Sequence, residues 1–354
     1  MADEHKERSV LYQNKVTTMK EKNSSSESVH GAFFSRNKGM DEHSKGETWL
    51  TVYPGRGRLG NQMFQIASLI GIADKFGYRP FISSTSFDID SVFDVPQSSN
   101  LNVDLTKFIK YQETDAGVFA ECDITRYTDM SVLTLNSNWT LDGYLQSFKH
   151  FVHIQNDIND LFTFKSNILD EARQFINNST TQYTVKIGIH IRRGDFLSEY
   201  HRNLGRVTPE AGMTTVLSTY KNIFHARTFY WKTSDKMTFV LFTDYYQKAM
   251  DLYSTKYRNI TFFVFSNDIA WCKGHLLDLG HEVIFSTYNH PGYDLAIMSL
   301  CDHMIISVGT FGWWGGWLAG GSVVYFNGYP KPGSEISKYF IKEDFYPSDW
   351  IGIT

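Results

Sequence analysis

The sequence predicts an α/β protein of two lobes, each a parallel sheet with helices on its faces and a cleft between them. Three observations carry this. Short apolar runs alternate with helical stretches through the second half of the chain. The folded sequence opens on a strand pattern, a glycine loop and a helix. The 354 residues, 42% of them hydrophobic and 16% aromatic, suffice for two substantial cores.

In chain order, residues 1–48 are dense in Lys, Glu, Asp and Ser without apolar periodicity, and are expected to form a disordered tail or stalk. Trp49-Leu-Thr-Val-Tyr53 reads as a strand, turning through Gly55, Gly57 and Gly60 into a helix from Asn61 to Phe76. Residues 81–141 are irregular and turn-rich, and helical spacing returns over 154–177. A boundary near 178–184 divides an N-terminal lobe, 49–180, expected to hold the acceptor side, from a C-terminal lobe, 181–354. Strand patterns follow at 185–191, 239–242, 261–265, 282–285, 304–308 and 322–326. In such a lobe, ligands sit beyond the carboxyl ends of the strands.

The composition excludes several classes. With 34 basic and 38 acidic side chains there is no global attraction for nucleic acid or anionic lipid, so any anion needs a local site. Cys122, Cys272 and Cys301 allow one disulfide at most and match no zinc spacing. Asn23, Asn138, Asn177, Asn178 and Asn259 each begin a glycosylation triplet, which suits a secretory chain. The uncharged stretch 303–329 is long enough to span a bilayer, but seven glycines with Ser307, Thr310 and Asn327 make it strand, turn, helix and strand instead.

Three strand ends carry candidate chemistry. His190-Ile-Arg192-Arg193-Gly194-Asp195 closes an apolar strand, and alternation puts His190 and Arg192 on one face. An Arg193–Asp195 ion pair with a merely packed His190 is the plainer account of the same residues. Ser307-Val-Gly309-Thr310-Phe311-Gly312 follows a strand and opens a helix, so its N–H groups and hydroxyls suit phosphate oxygens; tight glycine packing is the alternative. Phe265-Ser266-Asn267-Asp268 ends a third strand in polar groups able to accept from guanine, or equally to cap a helix. Asp88-Ile-Asp90 resembles a metal-binding triplet but lacks an arranged strand end, and Gly55, Gly57 and Gly60 miss the dinucleotide spacing. Trp313, Trp314 and Trp317 read as core or cleft wall.

Four blocks then stand in a recognisable order: Gly57-Arg-Leu-Gly-Asn-Gln-Met63, His190-Ile-Arg-Arg-Gly-Asp195, Phe263-Val-Phe-Ser-Asn-Asp268 with Trp271-Cys272, and Asp294-Leu-Ala-Ile-Met-Ser299 leading into Gly309-Thr-Phe-Gly-Trp-Trp314. With these and the ending Phe345-Tyr-Pro-Ser-Asp-Trp350, residues 50–353 resemble the galactoside α-1,2-fucosyltransferases, glycosyltransferase family 11. The resemblance implies a two-lobed GT-B-like fold with a Rossmann-like C-terminal nucleotide-binding lobe, and inverting transfer of fucose from GDP-β-L-fucose to the 2-hydroxyl of a galactose-terminated glycan. It implies no cofactor and no divalent metal. Arg192 is expected at the β-phosphate, with Arg193 beside it; His190, Asn267 and Asp268 near guanosine; Ser307, Gly309, Thr310 and Phe311 at the diphosphate; and Asn61 facing the cleft. Asp195 is a candidate general base that equally suits bracing Arg193. The resemblance also implies the Golgi lumen or membrane and an N-terminal anchor, although residues 1–48 show no apolar segment. A fucosyltransferase acting on a protein or an N-glycan core, and a binding protein without turnover, remain as alternatives.

Overall fold

The structure is a computed structural model that describes residues 48–53, 57–82, 88–95, 104–113, 130–131, 133, 137–193, 229–233, 236–240, 245–288, 290–334 and 336–354. The expectation of a disordered tail over 1–48 falls almost wholly outside these.

The N-terminal sheet has four parallel strands, β1 (Trp49–Val52), β2 (Arg79–Phe81), β3 (Ile109–Gln112) and β4 (Trp139–Asp142), in the order β2-β1-β4-β3. Helix α1 (Leu59–Phe76) crosses between β1 and β2 and is buried along most of its length. Its run of Leu, Gln, Met, Ile and Ala favours the helix, which stops where Gly77 turns left-handed and returns its N–H to the Ala73 carbonyl. The expected helical region over 154–177 is two helices, α2 (Gln155–Leu161) and α3 (Ser166–Ser179), interrupted where Phe164 bridges to Phe93.

The C-terminal sheet holds β5 (Val185–Ile191), β8 (Ile260–Ser266), β9 (Val283–Phe285), β10 (His303–Ile306), β11 (Val323–Phe326) and β12 (Ile351–Ile353), all parallel, in the spatial order β9-β8-β5-β10-β11-β12. Counted in chain order within this sheet, that is 3-2-1-4-5-6, the arrangement of Rossmann folds, with its switch point between β5 and β10. Helices α4 (Tyr245–Lys256), α5 (Ile269–Leu276), α6 (Pro291–Ser299) and α7 (Thr310–Ala319) flank the sheet, and α8 (Lys342–Phe345) precedes β12. Together the two sheets make the two-lobed, GT-B-like α/β fold.

The strand expected at 239–242 is not part of this sheet. Phe239 and Val240 belong to β7 (Lys236–Val240), which pairs antiparallel with β6 (Phe229–Thr233); residues 241–242 lie outside the described set. The physical reason is the connection: two residues can join antiparallel neighbours but cannot make a parallel crossover. Stretch 303–329 is the expected strand, turn, helix and strand, and no helix among the described residues is long and apolar enough to cross a membrane.

Side-chain alternation along the central strands feeds two cores. Ile187, Ile189, Ile191, Phe262 and Val264 point toward α4 and α5, where Tyr245, Met250, Tyr253 and Leu276 fill the second core. The opposite face, with Phe263, Phe265, Met304 and Ile306, joins a larger core that continues through Trp313, Trp314 and Phe64 into the N-terminal sheet at Leu50, Val52 and Leu141. Phe64 of α1 is the hub, its ring centroid 4.6 Å from Trp313, 5.2 Å from Trp314 and 5.9 Å from Phe345. Offset and edge contacts at such spacings add about 0.5–1.5 kcal/mol each to the burial itself. Trp313, Trp314 and Trp317 are therefore core residues, and each indole N–H is satisfied: by the Phe345 carbonyl at 2.7 Å, the Gly60 carbonyl at 3.0 Å and Asn159 Oδ1 at 2.8 Å.

This packing drives the N-termini of α1 and α7 together. A Cβ placed on Gly60 would lie 2.8 Å from the Phe311 nitrogen and 2.9 Å from the Thr310 carbonyl carbon, both backbone atoms with no freedom to move aside. Helix propensity alone favours Ala over Gly by about 1 kcal/mol. Gly60→Ala is nonetheless expected to lower the melting temperature, because the clash lies at the seam between the lobes. A variant that melts higher than the parent would show that the two helix starts do not meet in solution.

Candidate nucleotide-sugar site

The carboxyl ends of β5 and β10 lie side by side at the switch point, continuing their ladder past the strands: Ser307 N donates to the His190 carbonyl at 3.0 Å, and Arg192 N donates to Ser307 Oγ at 2.8 Å. Ser307, wholly buried, thus holds the Arg192 backbone with its lone pair. Gly309, the residue before α7, supplies no side chain to fill the helix start, and the first turn carries no acidic residue. The N–H groups of that turn and the helix dipole favour an anion.

His190 is packed against this turn. Its ring lies 5.6 Å from that of Phe311, and a Cβ on Gly312 would come within 2.3 Å of its Nδ1. Nδ1 is buried without a hydrogen-bond partner. Burial first, and the Arg192 charge second, push the imidazole down to about 3, so it is neutral at any physiological pH.

Arg193 is held by the residues that follow β8. Its Nε donates to Asp268 Oδ2 at 3.0 Å, its backbone N–H to Asn267 Oδ1 at 2.9 Å, and its guanidinium lies 3.9 Å from the centre of the Trp271 ring. Asp268 also caps α5, accepting from Trp271 N at 3.1 Å, while Ser266 Oγ accepts from Asp268 N at 3.0 Å. Both helix-capping and Arg193-holding oxygens of Asp268 are therefore used within the protein. Asp195 lies outside the described residues.

Asn61, near the start of α1, reaches the same place from the other lobe. Its Oδ1 accepts from Thr310 Oγ1 at 2.7 Å and from Gln146 Nε2 at 3.1 Å. The Thr310 hydroxyl hydrogen is thereby committed to Asn61, which leaves backbone N–H groups rather than that hydroxyl to face an anion. The site thus brings together His190, Arg192, Arg193, Ser307, Gly309, Thr310, Phe311 and Asn61, with Asn267 and Asp268 just past the end of the neighbouring strand β8.

Two buried carboxyls, Glu113 and Asp294, had no part in the sequence reading of the site. Glu113 follows β3 and accepts through Oε2 from Tyr144 N at 3.0 Å and Leu145 N at 3.3 Å; burial, the largest cause, and the nearby Asp142 carboxylate push it up to about 7. Asp294, in the first turn of α6, accepts a short hydrogen bond from Ser286 at the end of β9, and burial pushes it up to about 6. Asp294 stood in a recognised block of the sequence, so a signal existed; Glu113 stood in the irregular stretch and had none. Asp90 lies in a single 3-10 turn over Asp88–Ser91, and among the described residues no group of three or more His, Cys, Asp or Glu side chains is placed to hold a metal.

A Rossmann-order sheet, an uncapped helix start and two arginines at one strand end define an α/β protein whose switch-point crevice suits an anion. Residues 15–240 and 227–354 match Glycosyl transferase family 11, and the chain belongs to that family. Galactoside alpha-(1,2)-fucosyltransferase 2 of Rattus norvegicus is 26% identical over 321 residues, covering 88% of this chain and 79% of that protein. Galactoside 2-alpha-L-fucosyltransferase Sec1 of Mus musculus is 28% identical over 307 residues, covering 84% and 72%. A crystal structure of POFUT1 in complex with GDP-fucose superposes with a TM-score of 0.47 at 12% identity, over 80% of this chain and all of that one.

The buried titratable groups oppose one another with pH. Glu113 and Asp294 hold protons more tightly folded than unfolded, so what they contribute is present below the ordinary carboxylate range and is lost as pH rises toward 7 and 6. His190 and His150, pushed down to about 3 and about 4, do the reverse: their contribution is present above the ordinary imidazole value and is lost as pH falls. Between roughly pH 4.5 and 6 the two pairs nearly cancel, each proton being worth about 1.4 kcal/mol per pH unit. Glu113→Gln removes one descending contribution, so its stability from urea melts should climb with pH relative to the parent over that range. Parallel curves for the two proteins would mean that Glu113 ionises as freely in the fold as in the unfolded chain.

Proposed function

We propose that this chain transfers L-fucose from GDP-β-L-fucose to the 2-hydroxyl of a terminal galactoside, inverting the anomeric carbon to give an α-1,2 linkage. The observation that carries the proposal is the convergence of the Arg192 strand end with the open start of α7 at the switch point, in a family 11 chain whose relatives bear the name α-1,2-fucosyltransferase.

In this reading the acceptor oxygen attacks C1 of fucose as the bond from C1 to the β-phosphate oxygen breaks. The electron pair leaves with GDP, and the acceptor proton passes to water or to a nearby carboxylate. Negative charge grows on the β-phosphate. Arg192 and the N–H groups of Thr310 and its neighbours are the groups placed to stabilise it, a role that divalent cations take in other enzymes. Arg193, held flat against Trp271 by Asp268, adds fixed positive charge. Neutral His190 packs on Phe311 and shapes the wall beside guanosine, to which Asn267 and Asp268 contribute from β8. Asp195 remains the proposed base, with bracing of an arginine as its other role. No cofactor or metal is needed. A secretory setting in the Golgi, with exposed Asn177, Asn178 and Asn259 open to glycosylation, belongs to the same proposal.

Incubation with GDP-fucose and lactose, followed by NMR of the product, should show fucose on the galactose 2-hydroxyl, with turnover unchanged by EDTA. Transfer only to protein or to an N-glycan core would move the assignment to another acceptor, GDP-fucose binding without transfer would leave a binding protein, and activity lost in EDTA and restored by Mn²⁺ would overturn the metal-free reaction. Arg192→Lys keeps the charge but loses the planar fork. Its kcat should fall roughly a hundred- to thousandfold, about 2.7–4 kcal/mol, with KM for GDP-fucose changing less. An unchanged kcat in a folded Arg192→Lys protein removes Arg192 from the chemistry.

A further inference from the structure

The turn after β4, Gly143 to Gln146, is held far more firmly than a surface connection requires. Glu113 Oε2 accepts from the N–H groups of Tyr144 and Leu145, Gln65 Nε2 donates to the Gly143 carbonyl at 2.9 Å, and Ser68 Oγ donates to the Leu145 carbonyl at 2.9 Å. Within it Leu145, wholly buried, adopts a φ of +52°, and it is the non-glycine residue of positive φ among those described. A bulky side chain keeps that conformation only where its surroundings over-determine it, and such residues gather at functional sites. The next residue is Gln146, 2% exposed, whose Nε2 meets Asn61 Oδ1.

Asn61 Oδ1 therefore receives two donors, Gln146 from behind and Thr310 from the phosphate-facing loop, and this fixes which way the amide points. Its Nδ2 must lie on the far side, and it does: a Cβ on Gly57, which has a φ of +76°, would fall 2.2 Å from Asn61 Nδ2. The amide N–H groups are thus presented beside Gly57, while Gln62 Nε2 donates to the Gly57 carbonyl at 3.2 Å. Without the Gln146 donor only the Thr310 hydroxyl would hold the amide, and a hydroxyl can turn to accept from Nδ2 instead, so the oxygen could come to stand where the nitrogen now does.

We infer that Gln146 is a positioning residue for the transfer reaction: the strained turn at Leu145 exists to hold Gln146 against Asn61, so that the Asn61 amide presents N–H donors to an oxygen of the bound substrates. The inference rests on the proposed function, in that it takes the space between Gly57 and Thr310 to be where substrate oxygens lie.

The test is a double-mutant cycle on the full chain, with kcat, KM for GDP-fucose, GDP affinity by calorimetry and melting temperature measured for each protein. Gln146→Met and Gln146→Leu each fill most of the volume but cannot donate. Both should lower kcat about tenfold or more, with GDP affinity changed less than twofold. In the Asn61→Ala background the same changes at Gln146 should have no further effect on kcat, because the residue acts only through the amide. Additive losses, a fall in GDP affinity that parallels kcat, or full activity in both Gln146 variants would each overturn the inference. Should Asn61→Ala itself retain full kcat, the placing of substrate beside Asn61 fails and the inference falls with it. If Asn61→Ala is impaired but the Gln146 variants are not, the placing of substrate stands and only the role of Gln146 is lost. Where a variant melts low, kcat is read at a temperature below its melting onset, where the protein is folded, so a structural loss and a loss of the donor are told apart.

Discussion

Everything at the candidate site depends on one close approach, that of Gly60 to the backbone of Thr310 and Phe311. Two helices from different lobes begin within van der Waals contact, and a helix can come that close to another's first turn only where no side chain intervenes. Each helix start has free N–H groups and a positive dipole end, and neither carries a side-chain cap or an acidic residue in its first turn. Two like dipole ends repel in the absence of a counter-charge. The aromatic core behind them, centred on Phe64 and the tryptophans of α7, holds the arrangement together, and an anion in front of them would complete it electrostatically.

The arginines are set into this frame by different means. Arg192 is fixed through its backbone, by Ser307 across the switch point. Arg193 is fixed through its side chain, by a carboxylate in its plane and an indole beneath it. The second arrangement removes much of the rotamer freedom of a long side chain before any ligand arrives, so less entropy is lost on binding. Burying His190 neutral beside them avoids adding a third charge to a crowded corner.

Local pattern in the sequence was enough to place β5, β8, β10 and the start of α7, because strand alternation and glycine punctuation are encoded in neighbouring residues. It also placed His190, Arg192, Ser307 and Thr310 at strand ends, and with that the region of the site. What it could not supply was partnership across the chain. Asn61 and Thr310 are 249 residues apart, Arg193 and Asp268 75 apart, and no periodicity reports on either pair. An Arg193–Asp195 pair is suggested by adjacency alone, whereas the pairing of Arg193 to Asp268 follows from β5 and β8 being neighbours in the sheet, which adjacency cannot report. Glu113 was missed for the same reason: an irregular segment says nothing about which sheet edge buries it. The run at 239–242 is a strand where it is described, at 239–240, but one of a hairpin, and apolar runs look alike in a hairpin and in a parallel sheet.

The larger core carries a consequence for the protein as a material. Since Leu50 and Val52 of one sheet share it with Phe263 and Met304 of the other through the aromatic hub, neither sheet retains a complete apolar interior once the other is lost. Two lobes of this kind are one cooperative unit. Heat should take them down in a single calorimetric transition whose enthalpy matches its sharpness, rather than as two domains melting in turn.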